Sequence, residues 1–391
     1  MKDQEKKADA FAHFQADAAG YAEDILGKIR EKLHESVKRN PHTVPYLSVD
    51  GVYEDLSGAR IGWWTNGFWG GILWQMYHLT GEEQYRTAAE ELEEKMDAVL
   101  LDSRSMDHDS GFRFLPTAVA DYRITKNPAS RNRGIVAADN LAGRFNYNGR
   151  FIRAWNNFDE ENRAGWAIID CMMNLPLLYW ASDEQDDPRY RTIAMMHADT
   201  AMEKFIRPDG SSHHILCFDP ATGELVKTLG GQGYREGSAW TRGQSWGLYG
   251  FTLSFLHTEE KRYLETARKI ADYFVSKIPE SGLIPVDFDQ PEDSDFEDST
   301  AAAIASCGLI ELAKQCERAG YEDGGKYRTA ALRILAALDE NRADYDPARD
   351  GILGHCSAQY HAEDHDLHFV YADYYYIEAL LKLSEQELFI W

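Results

Sequence analysis

Asp170 lies in Trp166-Ala167-Ile168-Ile169-Asp170-Cys171-Met172-Met173-Asn174-Leu175, where almost every neighbour is apolar. Read as part of a helical run from Ala167 to Trp180, this segment puts a carboxyl on an enclosed helix with little access to water. Desolvation disfavours the anion and raises its pKa, so such an acid keeps a proton to donate near neutral pH. A structural role, capping or hydrogen-bonding a neighbouring loop, is the competing reading. A second carboxylate, Asp109, falls in Asp107-His108-Asp109-Ser110-Gly111-Phe112, in the loop after a helix that ends near Leu101. Two carboxyls facing each other across the mouth of a helical ring are the minimal equipment for glycosidic bond chemistry; a polar turn built on Gly111 is the alternative. His108 has no partner at metal-ligand spacing, so no metal and no other cofactor is expected.

Two further stretches, Trp63-Trp64-Thr65-Asn66-Gly67-Phe68-Trp69-Gly70-Gly71 and Ser238-Ala239-Trp240-Thr241-Arg242-Gly243-Gln244-Ser245-Trp246, combine indoles, small residues and polar groups near helix starts. Indole faces stack on the C–H surface of a sugar ring, while Arg, Gln and Asn take hydroxyls or a carboxylate. Arg242 and Trp246 are four residues apart and share a helix face. Some of these aromatics pack between helices instead, and Trp64, Trp74 and Trp180 are expected to do so. In His213-His214, adjacent strand residues point to opposite sides, so at most one faces a cleft. Gly230-Gly231-Gln232-Gly233 lets backbone approach a ligand but lacks the strand and helix flanks of a dinucleotide loop.

The elements that must position these residues repeat. A tag opens several amphipathic helices: Gln84-Tyr85-Arg86-Thr87-Ala88, Arg189-Tyr190-Arg191-Thr192, Arg262-Tyr263-Leu264-Glu265-Thr266-Ala267 and Lys326-Tyr327-Arg328-Thr329-Ala330. Each follows a more apolar run, at 71–78, 167–180, 246–256 and 301–313, giving a repeated αα-hairpin. The apolar helix of each pair must be enclosed and its charged partner can face water, which makes inner and outer layers. Further helices at 8–38, 129–141 and 372–388 bring the count toward six hairpins, and the unequal spacing of the tags fits a closed ring better than an open solenoid. The predicted fold is therefore all-α, a single (α/α)6 barrel over residues 1–391, with a small β-hairpin on one rim from Ser211 to Phe218 and the turn signals around Asp219-Pro220. The acidic loop 285–297 precedes a helix that Ser299 or Thr300 would cap.

Lys and Arg number 41 against 65 Asp and Glu, a net charge of −24, opposite in sign to what a nonspecific nucleic-acid binder or an anionic membrane surface requires. No apolar stretch is long enough to cross a bilayer. The charged start, 1–7, is unlike a secretory signal, so a cytoplasmic location is expected. Five scattered cysteines without a CxxC pair read as buried free thiols.

Taken together, the motifs resemble the unsaturated glucuronyl hydrolases, glycoside hydrolase family 88. The resemblance is carried by Trp63-x-Thr65-Asn66-Gly67-Phe68-Trp69, His108-Asp109-x-Gly111-Phe112, Phe151-Ile152-Arg153-Ala154-Trp155-Asn156, Ile168-Ile169-Asp170-x-Met172-Met173-Asn174-Leu175, Gly233-Tyr234, Trp240-x-Arg242-Gly243-Gln244-x-Trp246-Gly247 and Ala372-Asp373-Tyr374-Tyr375, colinear over roughly residues 40 to 385. It implies an (α/α)6 barrel with Asp170 as general acid and base and Asp109 as its essential companion. It also implies that Trp63, Trp240 and Trp246 stack on sugar and that His108, His214, Gln232 and Arg242 bind the uronate or its hydroxyls. Tyr360 carries over more weakly, because Cys356-Ser357-Ala358-Gln359 departs from the family pattern. Gly231 stands where relatives often place a basic residue, which leaves sulfated substrates unsupported.

The implied chemistry needs one strong acid and base. Polysaccharide lyases leave a terminal uronate with a C4=C5 double bond conjugated to the ring oxygen. Protonation at C4 gives an oxocarbenium at C5, water adds there, and the resulting hemiketal opens and expels the aglycone. The expected partner is an unsaturated uronate-containing di- or oligosaccharide of glycosaminoglycan type, acted on by a monomer or homodimer. Unsaturated rhamnogalacturonyl hydrolases share the fold and the reaction on pectin fragments, sugar 2-epimerases share the fold, and a non-catalytic glycan- or protein-binding toroid is the remaining alternative.

Overall fold

The computed structural model describes residues 10–391; residues 1–9, which include the charged start and Ala8 of the first expected helix, lie outside it. Among the described residues twelve helices carry the architecture. They are α1 (Ala18–Arg39), α2 (Gly67–Thr80), α3 (Glu83–Lys95), α4 (110–125, which widens to a π-helical turn through Leu115–Val119), α5 (Pro128–Gly143), α6 (Leu175–Gln185), α7 (Pro188–Lys204), α8 (Thr241–Thr258), α9 (Lys261–Lys277), α10 (Ser299–Arg318), α11 (Gly325–Asn341) and α12 (Val370–Leu383). Packing runs α2–α4–α6–α8–α10–α12 and back to α2, a closed inner ring, while α3, α5, α7, α9, α11 and α1 each pack behind one inner helix. This is an (α/α)6 barrel, in which chain start and chain end jointly supply the sixth hairpin.

The repeated tag has a physical purpose. Tyr190, Tyr263 and Tyr327 are buried at the start of α7, α9 and α11, and each hydroxyl donates to an aspartate on the preceding outer helix: Asp139 at 2.7 Å, Asp199 at 2.9 Å and Asp272 at 2.9 Å. Tyr21 of α1 continues the series onto Asp339 of α11 at 2.8 Å. Tyr85 is buried without such a partner. Four of the six junctions between outer helices are thus closed by a Tyr–Asp bond at the edge of the core.

All six inner helices begin at the same mouth, and the loops that precede them build the rim. The opposite mouth is closed by 386–391. Trp391 is buried, stacks on Tyr375 at 5.8 Å and donates to Glu378 at 2.7 Å, and the Gln75 amide holds both backbone groups of Leu388.

Short antiparallel pieces decorate the rim: β1 (Ser48–Val49) with β2 (Val52–Tyr53), and β3 (Phe145–Asn146) with β4 (Phe151–Ile152). The expected hairpin is present as β6 (Ile215–Phe218) and β7 (Leu225–Leu229), but it has a third strand, β5 (Trp166–Ile168), with Ala167 opposite Leu216. The expected helix from Ala167 to Trp180 is corrected accordingly. Residues 166–168 are strand, Ile169–Met173 is a 3₁₀ turn, and α6 begins at Leu175 with Pro176 in its first turn. A short apolar run cannot by itself separate a buried strand from a helix, whereas proline marks a helix start. The cap of α10 is Asp298, which accepts the Thr300 N–H at 3.1 Å, and not Ser299 or Thr300. The five cysteines are buried free thiols, and no described helix is long and apolar enough to cross a membrane.

Candidate active site

Asp170 sits on the 3₁₀ turn between β5 and α6. Pairing of β5 with β6, extended by the bond from Ile169 N–H to the His214 carbonyl at 3.1 Å, fixes where that turn leaves the sheet. The carboxyl is mostly buried and its Oδ1 has no hydrogen-bond partner. Burial pushes its pKa up to about 7, against the pull of Arg242. His214 stands beside it, with Nε2 3.8 Å from Asp170 Oδ1. Burial pushes the His214 imidazole down to about 3, so it is neutral. Its ring lies on the Trp240 indole at 4.1 Å, and its Nδ1 lies between the Gln232 N–H at 3.0 Å and the Gly230 carbonyl at 3.2 Å. Gly231, at φ +59°, closes that turn; a Cβ there would fall 2.2 Å from His214 Nδ1, which explains why a side chain is absent at this position.

Asp109 immediately precedes α4 and is 7% exposed. Burial and the neighbouring Asp107 hold its pKa well above the carboxylate range, with Asp170 adding in the same direction and Arg113 opposing. Asp107 is paired to Arg113 at 2.7 Å. His108 is buried and neutral, with Nε2 3.4 Å from Asp109 and its backbone N–H on the Ala154 carbonyl. Asp109 and Asp170, expected to face one another, line one cavity of about 80 Å³ together with Trp64, His108, Trp155, Ile168, Gln232, Trp240 and Arg242. Among the described residues no cluster of His, Cys, Asp or Glu is arranged to hold a metal ion.

Several expected residues stand elsewhere. Trp246 is fully buried against Phe112 at 5.0 Å and Tyr375 at 5.6 Å. It shares a face with Arg242, but one helical turn carries it about 6 Å deeper, so its indole is a floor for Phe112 and offers no face to a sugar. Trp63 lies outside the cavity, under the Arg60 guanidinium at 4.4 Å; its neighbour Trp64, expected only to pack, both packs on Phe112 and lines the cavity. Trp74 and Trp180 are buried as expected. Tyr360 packs on Tyr234 at 4.8 Å and Phe296 at 5.5 Å, a layer outside the cavity, and its N–H donates to the Gln232 carbonyl at 2.8 Å. His213 faces Arg207 at 3.4 Å and leaves the site to His214.

Arg242 is buried and heavily committed. It pairs with Asp298 at 2.5 Å, donates to the carbonyls of Ser357 and Ala358 at 2.6 Å each, and lies over the Trp240 ring at 4.6 Å. Gln232 Nε2 donates to the same Ala358 carbonyl at 2.7 Å. Both side chains therefore anchor the 357–360 segment as one wall of the cavity. Asp298, Trp155 and Ile168 were not expected here. The only local signal for Asp298 was an acid directly before Ser299 and Thr300, the residues expected to cap α10; Trp155 stands in a motif to which the resemblance gives no role.

A closed helical toroid with two buried carboxyls and three indoles lining one cavity is the equipment of an enzyme acting on carbohydrate. The chain belongs to glycoside hydrolase family 88: the family's sequence model, Glycosyl Hydrolase Family 88, matches residues 36–387. It is 37% identical to the unsaturated glucuronyl hydrolase of Bacillus sp. strain GL1 over 92% of this chain and 95% of that one. It is 35% identical to the unsaturated chondroitin disaccharide hydrolase of Streptococcus pyogenes serotype M1, over 82% and 80%. A solved structure of a UGL aspartate-to-asparagine variant with dGlcA-Glc-Rha-Glc superposes with a TM-score of 0.86 at 34% identity, covering 92% of this chain and 95% of that chain.

Proposed function

We propose that this chain removes the C4=C5 unsaturated glucuronic acid from the non-reducing end of lyase-generated glycosaminoglycan-type oligosaccharides, as one cytoplasmic domain acting as a monomer or homodimer without nucleic acid or membrane. The observation that carries the reading is Asp170: a buried carboxyl with an unpartnered oxygen on the cavity and a pKa near 7. It holds the proton that C4 of the enol ether takes. Having given it up, Asp170 is an anion facing an oxocarbenium at C5, then the base that takes a proton from the incoming water. The hemiketal so formed opens and releases the aglycone. Asp109, beside it, orients water or substrate, and Trp64, Trp155 and Trp240 supply faces for the ring.

An anionic sugar has to be held by a protein of net charge −24. The mouth answers locally: the inner helices begin there and present the positive ends of their dipoles, beside the guanidinium of the buried Arg242–Asp298 pair. Arg242 and His214 remain the proposed uronate contacts, with Gln232 and His108 on the hydroxyls.

The test is loss of C4=C5 absorbance with unsaturated disaccharides from chondroitin, hyaluronan, heparin and pectin. Asp170→Asn is expected to lower turnover by roughly 10² to 10⁴. Reaction in heavy water places deuterium at C4. Efficient cleavage of a saturated glucuronide would overturn hydration and favour ordinary acid/base hydrolysis by Asp109 and Asp170.

A further inference from the structure

Asp109 and Asp170 are 61 residues apart in sequence, and the reaction proposed above needs both at one cavity. The sequence separation leaves open what sets their spacing. Asn174 lies between the two segments, fully buried at the start of α6. Its side-chain oxygen accepts the Phe112 N–H at 2.8 Å, three residues beyond Asp109, and its Nδ2 reaches the Asp170 carbonyl at 3.4 Å. Its own N–H donates to the Cys171 carbonyl at 2.9 Å, closing the 3₁₀ turn that carries Asp170.

The fit on the other side is equally close. A Cβ on Gly111 would fall 2.6 Å from Asn174 Cα and 2.7 Å from its Oδ1, so the two segments touch backbone to backbone at this residue. Phe112, held by the Asn174 bond, is in turn wedged among Trp64, Phe68 and Trp246. Neither the uronate contacts nor the acid/base step uses Asn174, and it does not line the cavity.

We propose that Asn174 is a positioning residue: its amide bridges the segment bearing Asp109 to the segment bearing Asp170 and sets the distance between the two carboxyls. The inference rests on the reading of Asp170 and Asp109 as the reacting pair. A misplacement of about 1 Å costs on the order of a hundredfold when two groups must act together, so loss of the bridge is felt in rate and not in affinity.

The experiment measures kcat and KM on the best unsaturated disaccharide, together with amide hydrogen exchange at Phe112, in the full chain. Asn174→Ala is expected to lower kcat by roughly ten- to a hundredfold with KM within about threefold, and to speed exchange at Phe112. Gly111→Ala, which pushes on the same contact from the other side, is expected to give the same split. Asn174→Asp keeps the acceptor for the Phe112 N–H but loses the Nδ2 donor to the Asp170 carbonyl, and is expected to restore exchange protection at Phe112 with only partial recovery of kcat relative to Asn174→Ala. Folded Asn174→Ala with parental kcat, or a loss of kcat with Phe112 exchange unchanged, overturns the proposal. If Asn174→Ala does not fold, Gly111→Ala decides, and parental kcat there overturns it. An active Asp170→Asn is a separate result, which removes the reading of the acid and not of the bridge.

Discussion

His214 Nε2 stands 3.8 Å from Asp170 Oδ1, and both groups are shifted by the same burial in opposite senses: the acid up to about 7, the imidazole down to about 3. The neutral histidine leaves the proton on the carboxyl.

The pH dependence follows. Asp170 must be protonated to deliver to C4, so kcat is expected to fall as pH rises through about 7, approaching tenfold per pH unit on the alkaline side. His214 contributes no limb near its ordinary value. A pH–rate profile checks this, and a falling limb that survives in a His214→Gln variant assigns it to the acid.

The same shift bears on stability. Asp170 binds its proton more tightly folded than unfolded, so between about 4 and about 7 the native state holds the extra proton and stability falls as pH rises through that window. Asp170→Asn removes the cost of ionising a buried carboxyl and is expected to be more stable than the parent at pH 8 by roughly 2–4 kcal/mol. Urea denaturation at pH 5 and pH 8 measures it; the gain must shrink at the lower pH.

Breaking the buried pair Arg242–Asp298 has two effects. Asp298→Ala leaves the guanidinium unpaired and uncaps α10, so it is expected to cost about 3–5 kcal/mol. Because Arg242 and Gln232 both hold Ala358, Arg242→Ala is expected to raise KM and to make the 357–360 segment more susceptible to proteolysis. Thermal melts and limited digestion read the two separately.

Trp240, which caps the start of α8, and Trp246 within it are expected to divide cleanly. Trp240→Ala removes a cavity face and the support of His214, and raises KM. Trp246→Ala empties the floor under Phe112 and costs about 3–5 kcal/mol of stability, with KM of the remaining folded enzyme close to parental. Comparing KM with the denaturation midpoint for both variants distinguishes them.

Gly231→Ala places a methyl where the left-handed backbone and the His214 ring leave no space. It is expected to displace His214 from Trp240 and lower kcat about tenfold or more. Unchanged kinetics in a folded variant would remove the claim that Gly231 seats His214.

Much of this was legible locally. Helix periodicity and the repeated tyrosine tag identify inner and outer helices, because a helix's apolar face is a property of its own residues. The chemical oddity of Asp170, a lone acid among apolar neighbours, is equally local. The tag's partners Asp139, Asp199 and Asp272 were not legible, since each lies on another helix.

What tertiary structure alone decided is depth and pairing. Residues 166–168 became a strand because 215–217 lay beside them, and Asp170 therefore left a sheet and not a helix. One turn of α8 separated Arg242 at the mouth from Trp246 in the core, and a single residue separated Trp63 from Trp64. Arg242 was a free cation in the sequence; Asp298, Ser357 and Ala358, brought from more than fifty residues away, made it an anchor. Composition and spacing specify which side chains can bury and which can react, but the position of each along the barrel axis depends on contacts between distant segments, which no local pattern encodes.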